Sequence, residues 1–123
     1  MSVPVSSLQT YRQNSVLSAS PSELIVELYD GARRFLREAA KAMDDREIER
    51  AHNALYRAER VIAYLNEVVD DESGEIAQNL HSLYGFYLEH LAQARATLDR
   101  SKVDAVARML GLLRDAWQQV PEQ

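Results

Sequence analysis

The spacing of apolar residues between Pro21 and Pro121 restricts the fold of this chain more than any other feature. No proline lies between these two positions, so every backbone amide of the stretch is available for helical hydrogen bonds. Apolar residues recur there at steps of three and four, which places them on one face of a helix. One series alternates strictly between these steps: Ile48, Ala51, Leu55, Ala58, Ile62, Leu65, Val69. The pattern predicts amphipathic helices that pack through apolar stripes.

The first two helices are bounded by capping signals. Ser20-Pro21-Ser22-Glu23 predicts a capping box with the first serine as N-cap, and the periodic positions continue from there to about Met43. Asp44, with Glu47 three residues later, has the same form and predicts the start of the second helix. The polar run 70–74 ends that helix.

Two further helices follow from the same spacing. The third is predicted from about Glu75 to Leu98, and the fourth begins after Ser101, acting as N-cap, and stops at Pro121. The seam of the third helix is Ile76, Leu80, Leu83, Tyr87, Leu91, Ala94, Leu98. The seam of the fourth is Val103, Val106, Leu110, Leu113, Trp117, Val120.

Four helices joined by short loops pack as antiparallel neighbours. We therefore predict an all-α protein: an antiparallel, up-down-up-down four-helix bundle over residues 20–121. Within the first helix, Gly31 is expected to permit a close helix–helix contact at some cost in helix propensity. Residues 1–19 form a separate, partly ordered N-terminal segment. This segment is either a loose terminus or a cover that lies across an apolar groove of the bundle.

The composition limits the class of function. The chain has 123 residues, enough for one domain, and a formal net charge of −5 from 14 basic and 19 acidic side chains. This charge argues against a surface for nucleic acid or anionic membranes, because both require clustered positive charge. The chain has no cysteine, no apolar run long enough to span a membrane and no signal-peptide pattern. We expect a cytoplasmic protein that is not inserted into a membrane.

Each predicted helix carries more apolar surface than a bundle needs. A bundle helix buries an arc of about 100°, whereas the apolar arc of the third helix reaches roughly 160°. The additional positions flank the seams: Ile25, Tyr29, Leu36, Ala40, Val61, Tyr64, Val68, Ala77, Tyr84, Leu88, Met109, Leu112. They are either core residues of a tight bundle or the lining of a groove for a partner's helix or extended segment. Tyrosine suits a groove, since its hydroxyl can meet water.

No constellation of catalytic or metal-binding residues stands out. Glu49-x-x-His52 has the spacing of a di-iron site, but a second such pair is absent from the sequence. His81, with Gly85 four residues later, resembles the phospho-accepting motif of histidine phosphotransfer domains. Tyr84 stands where that motif would have a lysine, and bulky aromatic residues follow the glycine. We therefore expect no enzyme, no metal site and no cofactor.

Several short motifs, in their order and spacing, resemble the flagellar secretion chaperones, which bind newly made flagellin before export. The resemblance covers roughly residues 11–120 and is strongest at Leu28-Tyr29-Asp30-Gly31-Ala32. Arg95 departs from the family pattern, which tends to have asparagine there. The other matching runs are Tyr11-x-x-Asn14, Ala19-Ser20-Pro21-x-Glu23-Leu24-Ile25, Ala58-x-x-Val61-Ile62-x-x-Leu65, Gly74-x-Ile76-Ala77-x-Asn79-Leu80-x-x-Leu83-Tyr84 and Leu113-Arg114-x-Ala116-Trp117.

The resemblance implies a function in binding. Family members are antiparallel helical bundles whose apolar grooves receive the disordered C-terminal segment of flagellin. They prevent its premature polymerisation and deliver it to the cytoplasmic domain of the flagellar export gate. A disordered client loses conformational entropy on binding, so a large apolar surface is required. The resemblance also implies an N-terminal groove cover that flagellin displaces, formed by Tyr11, Asn14, Val16 and Leu17.

The predicted client-binding residues come from the seams and their margins: Ile25, Leu28, Tyr29, Val61, Tyr64, Val68, Leu80, Tyr84, Leu88. For each of them, core packing is the alternative. Two other functions remain open, a helical-bundle adaptor for a different client and a phosphotransfer domain that uses His81. The sequence is compatible with a monomer or a homodimer, because four-helix chains with short loops can exchange elements.

Overall fold

The computed structural model of the protein describes residues 21–119. It contains four α-helices: α1 (Pro21–Asp44), α2 (Ile48–Glu67), α3 (Glu75–Thr97) and α4 (Arg100–Gln118). One turn of 3₁₀-helix, Asp71–Ser73, lies between α2 and α3, and residues 21–119 contain no strand. None of these four helices is both long enough and apolar enough to span a membrane. The predicted N-terminal segment lies outside the described residues, as does Ser20, the predicted cap of α1.

The helices are arranged in a ring. α1 packs against α2 and α4, and α3 packs against the same two helices from the other side. The side-chain pairs between neighbouring helices run in opposite numerical order, as antiparallel helices require: Asp30–Arg114 and Asp44–Arg100 join α1 to α4, and Glu59–Arg95 and Asn66–His81 join α2 to α3. The predicted up-down-up-down four-helix bundle is confirmed.

The predicted cap of α2 is wrong. α1 continues through Asp44, and α2 begins at Ile48 after Glu47, whose side chain makes no capping hydrogen bond. The connection closes through its backbone instead. The amide of Glu47 donates to the carbonyl of Ala42 at 2.8 Å, and Arg46 takes a left-handed conformation with φ of 58°. This backbone bond closes the turn between α1 and α2.

The predicted cap of α4 is also displaced, from Ser101 to Asp99. The carboxylate of Asp99 accepts from the backbone amide of Ser101 at 3.0 Å and from its hydroxyl at 2.6 Å. These hydrogen bonds stabilise the charged carboxylate and lower the pKa of Asp99. An aspartate is the stronger acceptor, so Ser101 serves as a donor to the cap rather than as the cap itself.

The core runs along the bundle axis and receives side chains from all four helices. Full burial of an aliphatic side chain stabilises a fold by about 1.5–3 kcal/mol. The core residues are Tyr29, Ala32, Leu36, Ala39, Ala40, Ala54, Leu55, Ala58, Ile62, Leu65, Tyr84, Tyr87, Leu91, Ala94, Val103, Val106 and Leu110. Tyr29, Leu36, Ala40 and Tyr84 are among the positions that the sequence placed beside the seams.

The face of α3 that packs into the core differs from the predicted seam. Ala77 and Tyr84 are buried, whereas Ile76 is 66% exposed and Leu83 is 37% exposed. In the N-terminal half of the helix, the buried stripe therefore lies one residue later, a rotation of about 100°. It coincides with the predicted seam only in the C-terminal half, at Tyr87, Leu91 and Ala94.

The close helix–helix contact predicted at Gly31 is not there. A Cβ atom at Gly31 would have the Arg34 guanidinium as its nearest neighbour, at an ordinary 3.7 Å. The crowded glycine is Gly111 on α4, where a Cβ would lie 3.0 Å from the guanidinium of Arg33. Nε of Arg33 donates to the carbonyl of Ala107 at 3.1 Å. Gly111 thus leaves room for an arginine of α1 against the backbone of α4.

Candidate functional site

Two of the predicted client-binding residues, Tyr29 and Tyr84, meet in the core. Their hydroxyls share a hydrogen bond of 2.5 Å between α1 and α3, and the side chains are 0% and 1% exposed. Trp117 on α4 packs against this part of the core, and Tyr87 packs edge-on against Tyr84. Burial raises the pKa of both hydroxyls. For these two residues the core-packing alternative holds in this conformation.

The other seven predicted residues are partly buried. On α2, the guanidinium of Arg57 lies 6.0 Å from the ring of Phe35, which marks the flank of α2 that faces α1. Val61, Tyr64 and Val68 follow Arg57 at steps of four, three and four, so they lie on the same flank. The α1–α2 interface therefore carries Leu28, Val61, Tyr64 and Val68.

The remaining three predicted residues are partly buried at the edge of the core. Ile25 is near the start of α1, and Leu80 and Leu88 are on α3; all three pack against the core from its edge. The nine predicted residues thus do not line one groove. The predicted groove cover, Tyr11, Asn14, Val16 and Leu17, lies outside the described residues, and its role stays a prediction.

The most exposed apolar side chains of α3 form a strip along one flank. Ile76, Leu83 and Phe86 are 66%, 37% and 47% exposed. Arg95 pairs with Glu59 of α2, so its side of α3 faces α2. Phe86 is nine residues before Arg95. This spacing is about two and a half helical turns, so Phe86 lies on the opposite flank of α3 from Arg95. Since α3 packs between α2 and α4, this strip lies on the side of α4.

The facing flank of α4 is apolar as well. Ala107 and Arg114 contact α1 through Arg33 and Asp30, so they mark the flank of α4 that faces α1. Met109 is two residues after Ala107, and Leu112 is two residues before Arg114. Two residues correspond to about 200° around the helix, so both side chains lie on the flank of α4 that faces away from α1. Met109 is partly buried and Leu112 is 68% exposed. We refer to Ile76, Leu83, Phe86, Met109 and Leu112 as the α3–α4 surface.

Most of this surface was not predicted from the sequence. Ile76 and Leu83 were assigned to the core, and Phe86 was assigned to no face. The available signal was the width of the apolar arc of α3, which exceeds what one helix can bury against two neighbours. This excess was predicted, but on the other flank of α3, because the apolar period alone does not fix the rotation of a helix that is apolar over a wide arc.

Arg95 and His81 both fasten α3 to α2. The guanidinium of Arg95 pairs with the carboxylate of Glu59 on α2. His81 is bonded at both ring nitrogens: Nδ1 lies 2.5 Å from Oδ1 of Asn66, and Nε2 lies 2.8 Å from Oδ1 of Asp71. A phospho-accepting histidine must present a free nitrogen to solvent, so this arrangement favours a structural role for His81. No cluster of three or more potential metal ligands occurs within residues 21–119.

Comparisons with known proteins agree with the bundle. The family model described as flagellar protein FliS matches residues 5–123. The flagellar secretion chaperone FliS of Bacillus subtilis is 33% identical over 109 residues, covering 89% of this chain and 81% of the relative. The protein of the same name from Salmonella typhimurium is 34% identical over 110 residues, covering 88% and 82%. Pseudomonas aeruginosa has a relative named flagellar secretion chaperone FliSB, which is 31% identical over 115 residues.

A solved structure supports the fold. The crystal structure of a bacterial flagellar chaperone superposes with a TM-score of 0.76, covering 94% of this chain and 95% of the other at 18% sequence identity. At that identity the likeness concerns the fold alone, whereas the family model spans nearly the whole chain. The chain therefore belongs to the FliS family of flagellar secretion chaperones.

Proposed function

We propose that this protein is a cytoplasmic export chaperone that binds the disordered C-terminal segment of flagellin on the apolar flanks of its bundle. The observation that carries the proposal is the α3–α4 surface, where large apolar side chains stay exposed beside a packed core. Exposed apolar residues grouped in this way are typical of a binding surface. Its action is binding rather than catalysis.

A client that is disordered when free needs such a surface. Ordering a segment costs conformational entropy for every residue, and apolar burial is the main contribution that offsets this cost. An amphipathic helix formed by the client would place its apolar side against the α3–α4 surface, as helices do in hydrophobic grooves. A segment covered in this way is withheld from polymerisation.

The predicted client-binding residues divide into three groups under this proposal. The partly buried residues Leu28, Val61, Tyr64 and Val68 at the α1–α2 interface would form a second contact for a client that wraps around the bundle. Ile25, Leu80 and Leu88 lie at the edge of the core and would support both contacts. Tyr29 and Tyr84 fix α1 and α3 relative to one another, so they would position the client surface from beneath.

The client is expected to reach the chaperone and leave it at defined partners. We propose that the loaded chaperone docks on the cytoplasmic domain of the flagellar export gate and transfers flagellin there. In the absence of client, the N-terminal residues Tyr11, Asn14, Val16 and Leu17 would cover part of the apolar surface. Deletion of residues 1–17 should then change flagellin affinity or solubility, and unchanged behaviour in both would count against the cover.

The direct test is calorimetric titration with a synthetic peptide from the C-terminal segment of flagellin of the same organism. We expect saturable binding, a negative heat-capacity change and a gain in helical circular dichroism. The variant Leu83→Asp should weaken binding about tenfold or more, because a buried leucine contributes about 1.5–3 kcal/mol. Ile48→Asp is the matched control, since Ile48 is an exposed apolar residue at the start of α2.

The two variants separate a specific surface from general hydrophobicity. The control should stay within about twofold of the unmodified protein, as substitutions at exposed sites usually do. Equal loss in both variants would remove the α3–α4 surface from the proposal. A folded protein that does not bind the peptide at all would favour an adaptor for another client.

A further inference from the structure

The outer face of α1 and α4 carries a group of arginines that have no carboxylate partner among residues 21–119. Arg34, Arg37 and Arg108 are exposed, and none of them forms an ion pair with another residue of the described range 21–119. Arg33 is partly buried and directs its Nε to the carbonyl of Ala107, next to Arg108. We refer to Arg33, Arg34, Arg37 and Arg108 as the arginine cluster.

Helix geometry brings the members of this cluster together. Arg33 and Arg37 are four residues apart, and Arg34 and Arg37 are three apart, so their Cβ atoms are about 5–6 Å apart on one face of α1. Arg33 crosses to α4 and lies against Gly111, one turn after Arg108. The cluster therefore spans the α1–α4 interface near its middle.

The charges around the cluster are compensated, unlike those within it. At one end of the interface Asp30 pairs with Arg114 at 2.9 Å, and at the other end Asp44 pairs with Arg100. Asp104, one turn before Arg108, also bonds to Arg100, at 3.2 Å. The middle of the interface is thus a local excess of positive charge on a chain whose formal net charge is −5.

We propose that the arginine cluster binds a short acidic segment of a partner protein. Guanidinium groups are planar and bind carboxylates through two parallel hydrogen bonds, so arginine suits this recognition better than lysine does. Arg34 and Arg37, one turn apart on α1, and Arg108 on the adjacent α4 present three exposed guanidinium groups that match a few neighbouring Asp or Glu side chains. The net negative charge of the chain repels an acidic segment at a distance. The attraction to the arginine cluster is therefore a short-range one.

The size of the cluster favours a peptide over nucleic acid or a lipid surface. A nucleic acid presents a long, regular array of phosphates and requires an extended basic stripe. Here the carboxylates of Asp30, Asp44, Asp104 and Asp115 border the cluster, so a long polyanion would be repelled beyond the first few charges. A short acidic segment can end before it reaches them.

This inference goes beyond the proposed function, because it assigns a second partner of different chemistry to a region centred on α1. Arg108, four residues before Leu112, borders the α3–α4 surface. α4 presents Met109 and Leu112 to the flank of α3, whereas Ala107 and Arg114 face α1. A client on the α3–α4 surface thus leaves Arg34 and Arg37 of α1 open. The flagellin peptide and an acidic peptide consequently report on the two proposals separately.

The test uses a fluorescein-labelled octaglutamate peptide and fluorescence anisotropy with the full chain. At 50 mM salt we expect saturable binding that is lost at 500 mM, where surface charges are strongly screened. The double variant Arg34→Glu/Arg37→Glu should weaken binding about tenfold, since exposed charge pairs are individually weak and two are reversed. Both peptide titrations are repeated on each variant, after circular dichroism has shown the helix content unchanged.

The matched control is the double variant Arg46→Glu/Arg60→Glu. These two arginines are exposed on the loop after α1 and on α2, away from the cluster, and reversing them changes the net charge by the same amount. We expect it to weaken octaglutamate binding much less than the cluster variant does. The cluster variant should keep its affinity for the flagellin peptide.

Three results would overturn the inference. Equal loss in the cluster and control variants would show that only the net charge matters. Tighter binding of a single-stranded oligonucleotide than of octaglutamate, at the same salt concentration, would assign the cluster to a polyphosphate. A dimer in sedimentation velocity that Arg34→Glu/Arg37→Glu dissociates would assign it to a second copy of this chain.

Discussion

At the scale of single residues, the hydroxyls of Tyr29 and Tyr84 decide where two large side chains are placed. A tyrosine beside an apolar seam looks suited to a groove, because its hydroxyl can meet water. Here each hydroxyl is the partner of the other, so both rings can be fully buried. The two residues are 55 positions apart. A pairing over that distance cannot be recognised from spacing within one helix.

The pair predicts non-additive changes in stability. Tyr84→Phe should lower the free energy of unfolding by about 1 kcal/mol, the usual net value of a hydrogen bond. Tyr29→Phe should have a similar cost, because it leaves the buried Tyr84 hydroxyl without its partner. The double variant should cost less than the sum of the two. Urea unfolding monitored by circular dichroism measures all three, and strict additivity would contradict a shared hydrogen bond.

At the scale of elements, the sequence predicts the helices well and their rotation less well. α3 was expected from about Glu75 to Leu98 and is found at Glu75–Thr97, because Gly74 and the polar loop before it interrupt the apolar period. Its core face was missed because two overlapping stripes are apolar. One stripe contains Ile76 and Leu83, and the other contains Ala77 and Tyr84. Contacts from other helices select between them, and those contacts are not encoded within α3.

The rotation of α3 can be tested at two adjacent positions. Tyr84→Asp should destabilise the bundle by about 3 kcal/mol or more, because it places an unpaired carboxylate in the core and leaves a cavity. Leu83→Asp should cost about 1 kcal/mol, as Leu83 is on the exposed flank. Thermal unfolding of both variants at neutral pH distinguishes the two faces. If Leu83→Asp destabilised the bundle more than Tyr84→Asp, the core face of α3 would instead be the seam predicted from the heptad spacing.

At the scale of the whole molecule, the four interfaces of the ring are unequal. α1 packs closely against both of its neighbours, whereas α3 makes sparser contacts with α2 and α4. α3 also has Gly85 near its middle, on an open part of the surface, where glycine lowers helix stability by about 1 kcal/mol relative to alanine. The helix with the largest exposed apolar strip is therefore also the one held least firmly. A binding element is commonly drawn from the less stable part of a fold.

This inequality predicts the order of hydrogen exchange in the free protein and its change with client. Backbone amides of α3 should exchange faster than those of α1, because local opening of α3 breaks fewer packed contacts. Flagellin peptide at a free concentration 100 times its dissociation constant stabilises the bound state by about 2.7 kcal/mol. Protection should then rise most in α3 and α4, and less in α1. A peptide of the same composition in scrambled order is the control. Uniform protection of all four helices would indicate that the client stabilises the bundle without docking on the α3–α4 surface.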